Sequence, residues 1–312
     1  MKCYRRSDAR LEKILDGIFE QVRRAPPALR ALGREWMATL GPDPRHYGSA
    51  EDAPPLLHLP LWLVEGRSLR VPKRRLDTIL EATALLYFYT RIQDNVVDEP
   101  LTRGATPQLL LGNLFFMEAW DRLRTLPLSH RFWAWTKAAW RIFSEETEAE
   151  RRQLQARTPY TPARFRRHAR KVSLARIPLY AVMDQESPAH KHAIDRLIDR
   201  LGVAYGLVND VLGVERDLGA GMRTYLIATV EGGLPARRRR DPVAVRRELL
   251  KQPYLEDFLD RAIRLHRRIL PLGESMGIAH LRDYTDERID RLQHHRALAL
   301  GLRLRFALAG KA

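Results

Sequence analysis

The 312-residue chain has a single cysteine, Cys3, so no internal disulfide can staple it. No group of cysteines and histidines has the spacing of a zinc site. A reducing cytoplasm suits this composition. No apolar run reaches the roughly 18 residues needed to span a bilayer. The N-terminal stretch with Lys2, Arg5, Arg6, Asp8 and Arg10 lacks the apolar core of a signal peptide. A cytoplasmic protein, at most peripheral to a membrane, is the expectation. Period-two alternation, the mark of strands, is also scarce. Leucine, alanine, arginine and glutamate recur instead at three-to-four spacing, which predicts an all-α fold.

The chain is 45% hydrophobic, enough for a substantial core, and its net charge of +16 favours anionic partners. Diphosphates, acidic lipid surfaces and nucleic acid all qualify by charge. Nucleic acid is disfavoured, because no recognisable binding motif and no glycine-rich or aromatic-interleaved basic repeat is present. Length alone fits one large domain or two. The reading here is one all-helical domain over 1–312, with N-terminal helices and a proline-rich connector in 1–60 and the core in 61–312.

Residues 9–40 read as one or two amphipathic helices, with Leu11, Ile14, Leu15, Ile18 and Phe19 at core spacing and a break near Pro26-Pro27. Prolines and glycines over 41–60 make a connector, and the apolar stretch Leu56 to Val64 is expected to pack as a loop onto the helices. Arg67, Arg70, Lys73, Arg74 and Arg75 then form a solvated basic face or a rim that binds diphosphate. Residues 108–156 carry the aromatics Phe115, Phe116, Trp120, Phe132, Trp133, Trp135, Trp140 and Phe143 at helical spacing. Core packing is their ordinary use, and around a cavity their faces would attract a carbocation. Glu145, Glu146, Glu148 and Glu150 read as a solvated helix surface. A helix is predicted from Thr161-Pro162 through Phe165, His168, Val172 and Leu174. Arg176 stands out there, because it sits in an apolar run where an unpaired charge is costly.

The stretch that organises the chain is Tyr87 to Glu99. On a helix Tyr87, Arg91, Asp94 and Asp98 fall at spacings of four, three and four, so one face carries them all. A helix end with solvated charges gives the same pattern. The alternative is chemical: two carboxylates one turn apart can hold a hard cation through oxygen, and an arginine one turn earlier can grip the anion that the cation brings. A second acidic stretch, Arg200 to Asp217, puts Asn209, Gly213 and Asp217 at i, i+4 and i+8 on one stripe. A helix-interior glycine costs roughly 1 kcal/mol relative to alanine, and room for a ligand or water is one reason to accept it. Arg216, and then Arg223 and Tyr225 after a glycine break, lie close by in sequence.

Residues 84–99, with Leu86-Tyr87 leading to Arg91, Asp94, Asp98 and Glu99, resemble the first motif of squalene and phytoene synthases, and 200–226 resemble their second. The resemblance covers about 70–310 in motif order and is specific in these two stretches. It implies the all-α class I terpenoid (isoprenoid) synthase fold, a helical bundle around a central cavity. It also implies a magnesium cluster, three ions with Mn2+ as the alternative metal, held by Asp94, Asp98, Asn209 and Asp217 on an allylic prenyl diphosphate. Arg91, Arg176, Arg216, Arg223 and Tyr87 would bind substrate, with Tyr225. Gly213 stands where the family has an aspartate, and Asn95 where it has the second of an Asp-Asp pair. With Asn209 and Asp217, the second motif is closer to the Asn–Ser–Glu triad of terpene cyclases. Arg282 and Tyr284 then resemble a cyclase Arg-Tyr pair with Asp283 interposed. Terpene cyclisation, head-to-head prenyl transfer and a binding protein that has lost the chemistry all remain open. The arginine run 237–240 makes an anionic membrane surface an optional partner.

Overall fold

The computed structural model describes residues 5–40, 43, 55–67, 69–98, 105–155, 158–187 and 189–309. Within them the regular structure is helical, and the chain divides into two compact units. The first comprises 1–141, 173–195 and 273–283, and the second comprises 142–172, 196–272 and 284–312.

In the first unit, α1 (Arg5–Arg24) and α2 (Pro27–Thr39) are separated by Ala25 and Pro26, and Pro27 opens α2. Proline is at home at a helix start, where its missing N–H has no intrahelical partner anyway. The periodic face of α1 is buried as the sequence predicts: Leu11, Ile14, Leu15, Ile18, Phe19 and Val22. Gly33 lets α2 lie against α1, since a Cβ there would come within 2.0 Å of Val22 Cγ1. α4 (Lys73–Asp98) packs along α5 (Ala105–Arg124). An aromatic cluster joins these helices, with Trp36 4.8 Å from Phe88 in an edge contact and 5.0 Å from Phe115. Truncating such a buried ring costs about 3–5 kcal/mol.

The stretch expected to be a packed loop is instead a helix, α3 (Leu59–Arg67), with Leu57, Leu59, Leu61, Trp62 and Leu63 buried. Pro60 falls in its first turn, where it breaks no hydrogen bond. The aromatics of 108–156 pack on one another: Phe116 stacks on Trp140 at 5.1 Å, and Trp120 on Trp133 at 5.6 Å.

The second unit is built from the later turns of α6 (His130–Gln155), α7 (Pro162–His168), the body of α9 (Ala189–Leu212) and the helices beyond it. Thr161 caps α7 by accepting a hydrogen bond from the Arg164 N–H at 3.3 Å. The α-helix does not run on through Leu174 as predicted. It tightens to a 3-10 stretch over Ala169–Ala175 before α8 (Arg176–Val182). Pro178 explains part of this, because its ring crowds the carbonyl four residues back, that of Leu174, and it has no N–H to donate. Close packing of Gly202 is the other part: a Cβ there would lie 2.4 Å from the Ala169 carbonyl oxygen. Then follow α10 (Val214–Gly219), α11 (Tyr225–Gly233), α12 (Pro242–Lys251), α13 (Tyr254–Ser275) and α14 (Leu281–Ala309). Leu207, Val208, Leu226, Val230, Phe258 and Leu259 belong to the core of this unit.

Candidate functional site

The first motif lies on the last turns of α4. Arg91 Nη1 donates to Asp94 Oδ2 at 3.1 Å, and the two side chains are 40% and 32% exposed. An ion pair this open is worth only about 0.3–0.5 kcal/mol, so a cation and an anion with better geometry can displace it. Tyr87 is half-buried one turn earlier, and Asp98 closes the helix, its side chain lying outside the described residues, as do 99–104. Of the basic rim, Arg70, Lys73 and Arg74 are exposed. Arg67 is tied to His190 at 3.2 Å and Glu186 at 3.6 Å, and Arg75 Nη2 reaches the Ala181 carbonyl at 3.4 Å.

Arg176 belongs to the same unit and is buried, 3.6 Å from Asp195 Oδ1. Asp195 also accepts hydrogen bonds from the Tyr180 hydroxyl and, at 2.5 Å, from Lys191 Nζ. The charge that looked costly in an apolar run is therefore compensated inside the fold. Arg282 is exposed and pairs with Glu274.

The second motif does not sit on one unbroken helix. α9 ends at Leu212 and α10 begins at Val214, with Gly213 at the junction. The stripe survives, because Gly213 N donates to Asn209 O at 2.8 Å and Asp217 N to Gly213 O at 2.9 Å. Gly213 provides space used by the chain itself: a Cβ would meet Arg216 Nη2 at 3.0 Å, Asn209 O at 3.0 Å and Asp217 Oδ2 at 3.1 Å. Asn209 is exposed, whereas Asp217 is 3% exposed and takes two hydrogen bonds from Arg216, at 3.0 and 2.9 Å.

Two substrate-binding candidates here are committed to structure. Arg223 hydrogen-bonds Glu231 through Nε and the Thr158 carbonyl through Nη1 at 2.6 Å. Tyr225 is buried, its ring stacked on Phe165 at 4.6 Å, with Arg261 3.4 Å from its hydroxyl. Arg223 and Glu231 line a pocket of about 140 Å³ with Leu154, Met222, Arg240 and Val245. Tyr284 is buried and shares a hydrogen bond with Tyr205. Two residues apart on a helix lie on different faces, and exposed Arg282 and buried Tyr284 are placed accordingly.

Sequence reasoning passed over Asp210. Its Oδ2 accepts from Leu226 N at 2.8 Å and so caps α11. Burial pushes its carboxyl up to about 7; the backbone hydrogen bond works against that, and the nearby Glu150 and Asp217 carboxylates add to it. Glu150 pairs with Lys171 at 2.5 Å, and buried Glu146 with Arg167 at 2.8 Å, which corrects the expectation that Glu146 and Glu150 are solvated. His168 is buried with Nδ1 3.1 Å from the Tyr160 hydroxyl, and burial raises the phenol and lowers the imidazole. The signal for Asp210 was its adjacency to Asn209; that for Glu150 and Lys171 required the tertiary pairing.

The donors offered by the two motifs are carboxylate and amide oxygens, the ligands of a hard cation. Among the described residues no three Asp, Glu, His or Cys side chains gather as a self-sufficient metal cage. The donors of either motif by itself suit magnesium, which is usually held by one or two carboxylates with the remaining positions left to water and substrate phosphate.

No family model matches the sequence, and no curated protein matches it. Solved structures match the fold. A polyprenyl synthase from Caulobacter crescentus CB15, complexed with calcium and isoprenyl diphosphate, aligns with TM-score 0.69 and 16% identity over 90% of this chain and 95% of its own. A geranylgeranyl pyrophosphate synthetase from the archaeon Geoglobus acetivorans aligns with TM-score 0.61 and 16% identity over 94% and 99%. A geranylgeranyl pyrophosphate synthase from Corynebacterium glutamicum, complexed with isoprenyl diphosphate and magnesium, gives 0.54 and 19% over 95% and 96%. At these identities the likeness establishes architecture: the chain is an all-α helical bundle with the fold of the class I isoprenoid synthases.

Proposed function

We propose that this chain is a magnesium-dependent enzyme that ionises an allylic prenyl diphosphate, with terpene cyclisation as the leading reaction. The observation that carries the reading is the half-exposed Arg91–Asp94 pair on α4 of a chain with this fold. Asp94 and Asp98, with Asn209 and Asp217, are the proposed metal ligands, and Arg91 the proposed diphosphate contact. Bound magnesium would offset the charge that develops on the leaving oxygen as the carbon–oxygen bond breaks. Arg91, released from Asp94, would hold a diphosphate oxygen and so orient the leaving group. Arg216 is 72% exposed, so its guanidinium is open to solvent and could leave Asp217 for an anion, which would free that carboxylate. Arg176, Arg223 and Tyr225 are assigned supporting roles through the shape of the fold.

A second reading is prenyl transfer. The solved structures described above are polyprenyl and geranylgeranyl pyrophosphate synthases, which favours chain elongation over the head-to-head coupling suggested by the squalene/phytoene resemblance. The experiment uses the full chain with magnesium, or manganese in its place, and C10, C15 and C20 allylic diphosphates, each with and without isopentenyl diphosphate. Diphosphate release and hexane-extracted products are measured. A cyclic product from one substrate supports the leading reading, and a lengthened diphosphate supports elongation. Two joined allylic chains support head-to-head coupling. No release with any substrate removes catalysis and leaves a binding protein. A single domain over 1–312 is proposed as well; coincident unfolding of the two compact units supports it, and two separate transitions overturn it.

A further inference from the structure

The last helix, α14, is apolar on two opposite sides. Its inner side buries Ile289, Leu292 and Ala299. Its outer side exposes Leu298, Leu302 and Leu304 to about half and Leu308 to 70%. At 3.6 residues per turn, Ala297, Leu298, Gly301, Leu302, Leu304 and Leu308 fall in one arc, and Arg305 is its charged member. Of the eight large apolar side chains that the described structure exposes, four lie on this one segment. Scattered exposed leucines need no explanation, but a contiguous patch marks a contact surface.

Charge selects the occupant. After Asp290 the sequence contains no acidic residue. On the inner side, Arg296 pairs with Asp260 at 2.8 Å and Arg303 with Glu256 at 2.7 Å, which aligns α13 beside α14 within the second unit. The two pairs run antiparallel, so the α13 residues level with the arc are those before Asp260, and exposed Arg264, Arg267 and Arg268 lie beyond Arg296 in the other direction. The segment from Ala297 to Ala309 thus carries two arginines, Arg303 and Arg305, and no carboxylate. A second copy docked here would bring the same excess cations against itself. Anionic lipid headgroups above an acyl layer match both features, and no helix among the described residues is long and apolar enough to cross the bilayer.

We propose that the outer face of α14 from Ala297 to Leu308 docks in the plane of an anionic membrane surface, its leucines entering the acyl boundary and Arg305 meeting headgroup phosphates. This contact is separate from the arginine run 237–240 and does not depend on the reaction. The test is co-sedimentation of the full chain with vesicles of phosphatidylcholine alone or mixed with phosphatidylglycerol. Wild type is expected to partition onto the mixed vesicles and to be partly released by salt. The double variant Leu298→Glu/Leu302→Glu is expected to lose at least about tenfold in partition coefficient, with an unchanged helical CD spectrum. Leu308→Glu alone, at the most exposed of the four positions, should show the same direction and guards against misfolding of the double variant. Binding that survives these changes overturns the proposal, as does a wild type that ignores anionic vesicles. A wild-type dimer that the variants dissociate, with no vesicle binding, assigns the face to a second copy and overturns it as well. None of these readouts requires turnover.

Discussion

Segments 87–98 and 209–231 begin from the same kind of sequence, acidic residues at helical spacing with an arginine and a tyrosine nearby, yet they fold into different electrostatic situations. The first pairs its arginine and aspartate with each other at a partly exposed helix surface, where an ion pair itself contributes little. The second buries Asp217 under Arg216, locks Arg223 to Glu231 and the Thr158 carbonyl, and uses Asp210 to cap α11. The difference teaches that motif residues of one type divide into those poised to change partners and those already spent on the fold. By this measure Arg91, Asp94, Asn209 and Arg216 are the more exposed, while Arg223, Tyr225 and Arg176 are held by hydrogen bonds and packing within the fold.

The sharpest way to break that contrast is Arg223→Ala. Removing one member of a buried pair leaves Glu231 as an uncompensated charge, so a loss of about 3–5 kcal/mol in urea unfolding is expected. An unchanged midpoint with lost activity would make Arg223 a ligand group instead. Asp94→Ala should do the reverse. Unfolding should move by less than about 0.5 kcal/mol, and turnover, measured as diphosphate release, should fall by about 10²–10³-fold. Retained turnover would remove Asp94 from the metal set.

Next in size are two opposed pH dependences in the second unit. The Asp210 carboxyl is raised from 3.8 to about 7 in the fold, so the folded state holds a proton that the unfolded state has released, and stability falls as pH rises through this window. His266 is the converse. Burial, then the Arg288 charge, lower its imidazole from 6.5 to about 4, so it is neutral when folded and stability falls as pH drops from 6.5 toward 4. Each slope is about 1.4 kcal/mol per pH unit, and they offset each other in the wild type between about 4 and 6.5. Asp210→Asn should therefore show stability rising with pH, and His266→Asn stability falling with pH, in denaturant melts at pH 4.5, 5.5 and 6.5. Parallel curves for both variants and wild type would contradict the burial argument. The smallest effect is Gly213→Ser. Its Cβ must push the exposed Arg216 terminus, Asp217 Oδ2 and the Asn209 backbone carbonyl by a few tenths of an ångström, against a helix-propensity gain of about 0.5 kcal/mol. A stability change within about 1 kcal/mol is expected, and tighter magnesium dependence of turnover would support the cyclase-like triad.

Much of the architecture was legible. The Leu11 to Val22 face and the breaks at Pro26 and Thr161-Pro162 follow from local rules of period and capping, which act within a few residues. Leu59–Arg67 was misjudged because proline reads as a breaker until its place in the first turn is known. The turn from α-helix to 3-10 at Ala169 needed Gly202, more than thirty residues away. Within the candidate site, the spacing on α4 was readable, but that Arg176 has Asp195, or that Glu150 has Lys171, was not.

The sequence by itself determined an all-helical chain and the stripes that carry Tyr87, Arg91, Asp94 and Asp98, and Asn209 and Asp217, because helical periodicity is a property of neighbouring residues. Tertiary structure alone decided which charges remain open to a ligand. Exposure and pairing depend on what distant segments bring alongside, and that is how Asp217 came to lie under Arg216 while Arg91 and Asp94 stayed half in water.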